Sequence, residues 1–136
     1  MNEITQLFDT TIWIDFLKNK PTKEVELLDK NLSNGIILPI CPPIYQEVLQ
    51  GLRFENEIKL VEYYFGFLEK LTLNFYFVAD EAAKLYRNLR RKGVTIRKPN
   101  DCIIAIYALE FNLEIVHNDS DFDLIAANSS LKIFKF

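Results

Sequence analysis

The sequence predicts an α/β fold, with three α/β/α layers around a central, mostly parallel five-stranded sheet. Two observations carry this prediction. Short β-branched or aromatic runs alternate repeatedly with longer stretches of helical periodicity, and prolines, a glycine and cap-forming residues mark several junctions. A length of 136 residues suits a single domain, 1–136, and a composition of 49% hydrophobic and 26% charged residues suits a folded core.

In chain order, a strand is predicted over Ile4–Phe8. It leads into a helix over Thr11–Lys18, whose apolar residues Ile12, Trp13, Phe16 and Leu17 recur at helical spacing. A second helix is predicted over Thr22–Ser33 and a second strand over Gly35–Ile40. Pro42 and Pro43 suit the first turn of the next helix, Pro42–Leu52, where a missing N–H costs little. A helix over Glu55–Lys70 and a strand over Leu71–Phe77 follow. The stretch Val61–Val78 holds seven of the eighteen aromatic residues, most of them expected in the core. A basic helix over Asp80–Lys92 is closed by Gly93 as a C′ glycine. Pro99 and Asn100 place a capping residue ahead of an apolar helix, Asn100–Phe111. A strand over Leu113–His117, a short helix over Phe122–Ala127 and a closing strand over Lys132–Phe136 complete the set.

Composition narrows the chemistry. The start Met1-Asn2-Glu3 has no basic, apolar leader pattern, and no stretch approaches the ~18 uninterrupted apolar residues of a membrane span. The chain therefore reads as mature, soluble and cytoplasmic. Cys41 and Cys102 are too few and too distant in sequence for a disulfide framework or a zinc site, and the single His117 disfavours a histidine-based metal site. A net charge of -3 argues against a generic, charge-driven binder of nucleic acid.

In open parallel sheets, ligands collect beyond the carboxyl ends of the strands, so acids there carry most weight. Asp9 follows the first strand directly, its plain alternative being a helix N-cap. Asp119 and Asp121 follow the fourth strand. Asp121, just before Phe122, is the better cap, which leaves Asp119 without an evident structural task. Asp101 opens the helix of Ile103, Ile104, Tyr107 and Ala108, where the helix dipole alone would favour an acid. Glu47 lies inside a helix, and its face, shared with Pro43, Ile44, Gln50 and Gly51, fits neither a core nor a solvent stripe. Converging carboxylates repel unless protonated or metal-bound, and a hard divalent cation, Mg²⁺ or Mn²⁺, is the simplest partner for an oxygen-only set. Seven of the sixteen basic residues, Lys84, Arg87, Arg90, Arg91, Lys92, Arg97 and Lys98, cluster ahead of Asp101. They form either a phosphate track or a solvated helix face.

The segments LFDTTIWIDFL (Leu7–Leu17), PPIYQEVLQGL (Pro42–Leu52), KPNDCIIAIYALEFNLEIVHNDSDF (Lys98–Phe122) and the closing KIFKF resemble, in order, the PIN-domain ribonucleases, and more narrowly the VapC toxins of prokaryotic toxin–antitoxin pairs. The resemblance implies a metal-dependent endoribonuclease with Asp9, Glu47, Asp101 and Asp119 as catalytic, metal-holding acids. It makes Thr10 or Thr11 a hydroxyl that organises the site, and Asp121 an auxiliary acid. His117 stands where many relatives carry Thr or Ser. The resemblance also implies an RNA substrate, a homodimer and a cognate antitoxin whose amphipathic helix lies along an apolar groove, with the exposed side of Trp13 or the aromatic stretch as contributors. Arg87, Arg90, Arg91, Arg97 and Lys98 are the candidates for RNA contact. Two other readings remain: a phosphotransfer domain, disfavoured by Asp9-Thr10-Thr11 in place of a D-x-D pair, and a non-catalytic PIN-like module that binds RNA or protein.

Overall fold

A computed structural model describes residues 5–136, so Ile4 of the first predicted strand lies outside the described residues. The fold is the predicted three-layer α/β/α type. Among the described residues the strands are β1 (Gln6–Phe8), β2 (Pro39–Ile40), β3 (Glu69–Lys70), β4 (Glu114–Val116) and β5 (Lys132–Ile133), all short. The helices among the same residues are α1 (Thr10–Leu17), α2 (Lys23–Ser33), α3 (Pro42–Gln50), α4 (Glu55–Phe65), α5 (Phe75–Arg91), α6 (Pro99–Glu110) and α7 (Ser120–Ala127).

The expected five-stranded sheet is divided into two parallel ladders, β1-β4-β5 and β2-β3. The strands are too short for one continuous ladder, although β1 and β2 lie side by side. Phe8 pairs with Val116, and the Asp9 N–H extends that ladder to the Val116 carbonyl at 3.0 Å. The carboxyl ends of β1 and β4 are thereby brought to one edge. Leu7, Phe8, Ile115 and Val116 are buried in a core shared with Ile12, Trp13, Ile104, Ala105 and Phe122.

The strands predicted over Gly35–Ile40 and Lys132–Phe136 shorten to β2 and β5, and one segment departs further from the sequence reading. Leu71–Phe77 is not a strand: β3 is Glu69–Lys70, α4 stops at Phe65 rather than Lys70, and α5 begins at Phe75 rather than Asp80. The cause is Asn74, whose Oδ1 accepts the N–H groups of Tyr76 and Phe77 at 2.9 and 3.1 Å, so an aromatic run that fits a strand forms the first turn of a capped helix. That turn faces solvent. Phe75 is 78% and Tyr76 84% exposed, and Tyr63, Phe67 and Phe77 are also exposed, so most of the aromatic stretch is not core. Trp13, expected to offer an exposed side, is instead buried, edge-on to Phe16 and Phe65.

Other boundaries follow their local chemistry. Pro42 and Pro43 occupy the first turn of α3. Gly93, at φ +82°, ends α5 in the left-handed conformation while the next N–H, from Val94, reaches back to the Leu89 carbonyl. Asn100 does not cap α6: the cap position is Lys98, because Pro99 takes the first helical position and draws Asn100 into the helix. Among the described residues no helix is long and apolar enough to cross a membrane.

Candidate active site

Asp9 leaves β1 at the cap position of α1 but makes no capping bond with its side chain. Its carboxylate is buried and left available. Thr11 Oγ1 lies 3.4 Å from Asp9 Oδ2 and 2.8 Å from Asn118 Oδ1. A hydroxyl donates one proton, and the shorter contact to Asn118 takes it. Thr10 Oγ1 donates to Glu47 Oε1 at 2.8 Å, which turns this half-buried glutamate of α3 towards the start of α1.

The loop after β4 supplies the other acids. Asp119, not Asp121, caps α7: its Oδ1 accepts the Asp121 N–H at 3.0 Å, so Asp119 does have a structural task. Asp121 sits inside the first turn, where the helix runs over it, and its buried carboxylate accepts the backbone N–H and Nε of Arg97 at 3.2 and 3.3 Å. His117 Nδ1 accepts the Asp119 N–H at 2.9 Å, which leaves the ring proton on Nε2, facing Asp123 at 3.1 Å. One ring nitrogen therefore holds the Asp119 amide and the other faces α7.

Asp101, in the first turn of α6, faces this loop. One oxygen from each of Asp101, Asp119 and Asp121 lies within 4.8 Å of the others. Asp101 is only 4% exposed, yet its Oδ2 has no hydrogen-bond partner among the described residues. A buried carboxylate oxygen without a donor is costly, and it is the feature a bound cation relieves. The donor set is all carboxylate oxygen, which fits a hard divalent cation.

Electrostatics agree with the geometry. Burial, reinforced by the nearby Asp9 and Asp119 charges, pushes the Asp101 carboxyl up to about 7 from 3.8. Burial also lifts Asp9 to about 6, against a lowering by the Thr10 backbone N–H, with Glu47 and Asp119 adding to the rise. Asp9 and Asp101 thus feel each other and Asp119 across the sheet edge.

Of the basic segment, Arg97 and Lys98 turn inward onto the acids. Arg97 Nη2 is 3.4 Å from Asp119 Oδ1, and Lys98 Nζ is 3.7 Å from Asp119 Oδ2. Arg87, Arg90 and Arg91 remain on the exposed face of α5, Arg90 lying over the Tyr86 ring at 5.9 Å. Sequence reading missed Asn118 and the inward turn of Arg97. Asn118 had a signal in its place between the fourth strand and Asp119.

The PIN domain family model matches residues 7–128. The chain is 32% identical over 131 residues to the VapC ribonuclease Mb1587 of Mycobacterium bovis, covering 96% of this chain and 98% of that protein. Ribonuclease VapC11 of Mycobacterium tuberculosis matches with the same figures. VapBC2 from Rickettsia felis, solved bound to a promoter DNA fragment, shares the fold with a TM-score of 0.76 at 18% identity, over 98% of this chain and 99% of that one. The DNA-bound VapBC from Salmonella typhimurium does so with a TM-score of 0.76 at 24% identity, over 97% and 98%. The chain belongs to the PIN-domain family, in its VapC branch.

Proposed function

We propose that this chain is a metal-dependent endoribonuclease that hydrolyses RNA phosphodiester bonds, the toxin of a toxin–antitoxin pair. The observation that carries the chemistry is the partnerless, buried Asp101 Oδ2 facing Asp119 and Asp121. Asp101, Asp119 and Asp121 would hold the cation, Mg²⁺ or Mn²⁺; Asp9 and Glu47, predicted to hold it too, lie outside that three-acid convergence. Asp9, electrostatically coupled to Asp101, Asp119 and Glu47, completes the acidic wall. A divalent ion in such a site polarises the phosphate and lowers the pKa of an attacking water.

The chain's own groups do the positioning. Thr10 orients Glu47, Asn118 and Thr11 brace the Asp9 side, and His117 fixes the Asp119 backbone. Because both His117 nitrogens are engaged, proton transfer from the attacking water falls to the carboxylates rather than to the imidazole. Arg87, Arg90 and Arg91 draw the RNA backbone along α5 towards the site.

Residues 1–136 act as one PIN-like domain in the cytoplasm, as a homodimer, inhibited by a cognate antitoxin. A groove of ≈ 420 Å³ lined by Leu32, Ile36, Ile37, Tyr63 and Phe67 supports the antitoxin site, since exposed apolar side chains around a concavity suit the apolar face of a partner helix. A separate exposed patch around Phe75 and Tyr76, beside Pro43 and Ile103, supports the self-association face.

Purified protein incubated with a broad RNA panel tests the activity. Cleavage that needs Mg²⁺ or Mn²⁺, stops with chelator and is lost in Asp9→Asn is the expected result. Metal-independent cleavage, or full activity in a folded Asp9→Asn protein, overturns the proposal.

A further inference from the structure

A cation of the protein's own already sits among the acids. Arg97 follows the buried Ile96 in the segment between α5 and α6, and its guanidinium bridges Asp121 Oδ2 and Asp119 Oδ1 at 3.3 and 3.4 Å. Each of those oxygens also accepts a backbone N–H: Arg97's own on Asp121 Oδ2 at 3.2 Å, and Asp121's on Asp119 Oδ1 at 3.0 Å. A carboxylate oxygen offers about two lone-pair sites, so both are filled. A divalent ion drawn to either oxygen must displace a donor, and the side chain is the donor free to move.

Three features make the guanidinium the displaceable partner. Its bonds are long beside the about 2.7–2.9 Å of strong charge-assisted pairs. Its side chain is 69% exposed, with an open path to solvent, whereas the two carboxylates are 12% and 5% exposed. The acids also keep their places without it, because backbone N–H groups tether them and His117 holds the Asp119 amide. Arginine does not lose its charge at any ordinary pH, so it leaves by movement rather than deprotonation.

We propose that the Arg97 side chain is a stand-in for the divalent ion: it neutralises Asp119 and Asp121 while the site is empty and swings outward when the ion binds, setting the ion's affinity. This rests on the reading of these acids as a metal site. Lys98, also at the rim, pairs among the described residues with Asp119 alone, at a longer 3.7 Å, and so does not bridge the two acids.

Titration calorimetry with Mn²⁺ alone, on the full chain, tests it. Two ion pairs whose cation is exposed and solvent-screened correspond to roughly a three- to tenfold effect, so Arg97→Gln should bind Mn²⁺ that much more tightly. Arg97→Lys separates contact from mere charge: it keeps the charge but loses the fork, and should fall between wild type and Arg97→Gln. The Arg97 Nε–H resonance should be distinct in metal-free protein and move to the free-guanidinium position as Mg²⁺ saturates the site. Wild-type affinity in Arg97→Gln, or an Nε–H signal unmoved at saturation, overturns the exchange while leaving the metal site standing, provided Asp101→Asn abolishes Mn²⁺ binding. If wild type binds no Mn²⁺, both readings fall.

Discussion

Thr10 and Glu47, thirty-seven positions apart, meet through a 2.8 Å hydrogen bond that ties the first residue of α1 to the middle of α3. The bond selects one orientation of a glutamate whose helix face is otherwise mixed. It follows that Thr10 acts on the chemistry through Glu47. Thr10→Val should fold normally and lose about 10- to 100-fold in activity or metal affinity, the usual cost of removing an outer hydrogen-bonding partner in such a site. Thr10→Ser should recover most of it. Cleavage assays on the three proteins, with circular dichroism as the folding control, decide this.

Asp101→Asn should reduce cleavage beyond the ~100-fold just named, because it removes an acid that faces the ion rather than one behind it. The same change should raise the melting temperature of metal-free protein above about pH 7, where Asp101 is ionised, since a buried charge with a partnerless oxygen is replaced by a neutral group. A calorimetric melt without metal, in which the variant is less stable than wild type, would contradict the electrostatic account of the site.

Asp9 and Asp101 bind protons more tightly in the folded chain than in the unfolded one, at about 6 and about 7 against 3.8. Between these limits the folded state holds more protons, so stability falls as pH rises. The gain from protonation is complete below 3.8 and gone above about 7. Metal-free protein should therefore melt at lower temperature at pH 7.5 than at pH 5, and saturating Mn²⁺ should flatten that slope by removing the penalty for ionisation. Because the ion and the protons compete, binding at pH 6 should release protons, read as a buffer-dependent calorimetric heat.

The two apolar surfaces should separate genetically. Tyr63→Glu with Phe67→Glu should abolish antitoxin binding and spare metal-dependent cleavage. Phe75→Glu with Tyr76→Glu should instead yield monomers by light scattering. Each replaces exposed aromatic anchors, a residue class that commonly carries about 2 kcal/mol or more at interfaces.

On α5, Arg90→Gln with Arg91→Gln should weaken RNA binding across sequences. The slope of log affinity against log salt should fall by about 1.4 for single-stranded RNA, two phosphate contacts at ~0.7 each. An unchanged slope would make this face a solvated surface.

Much of the fold was legible because its signals are local. Pro42 and Pro43 announce the start of α3, Gly93 the end of α5, and the apolar spacing of Ile12, Trp13, Phe16 and Leu17 the body of α1. Where local signals conflict, the reading failed. The run Phe75-Tyr76-Phe77 has strand chemistry, but the single Asn74 cap decides for helix, and its exposure depends on neighbours that no local window contains. The choice of Asp121 over Asp119 as the α7 cap failed for a similar reason, since both spacings suit a cap and only backbone geometry selects one.

The sequence by itself determined the alternation of strands and helices and put acids at the carboxyl ends of two strands and at one helix start, because periodicity, capping and turn chemistry act over a few residues. Only the tertiary structure decided that β1 and β4 are parallel neighbours, which sets Asp9 beside the Asp119 loop. It also decided that Asp101 arrives there with an unpartnered oxygen, and that Arg97 reaches across twenty-four positions to Asp121. Those relationships depend on how separate elements pack, and packing is settled by the whole buried core rather than by any single stretch of chain.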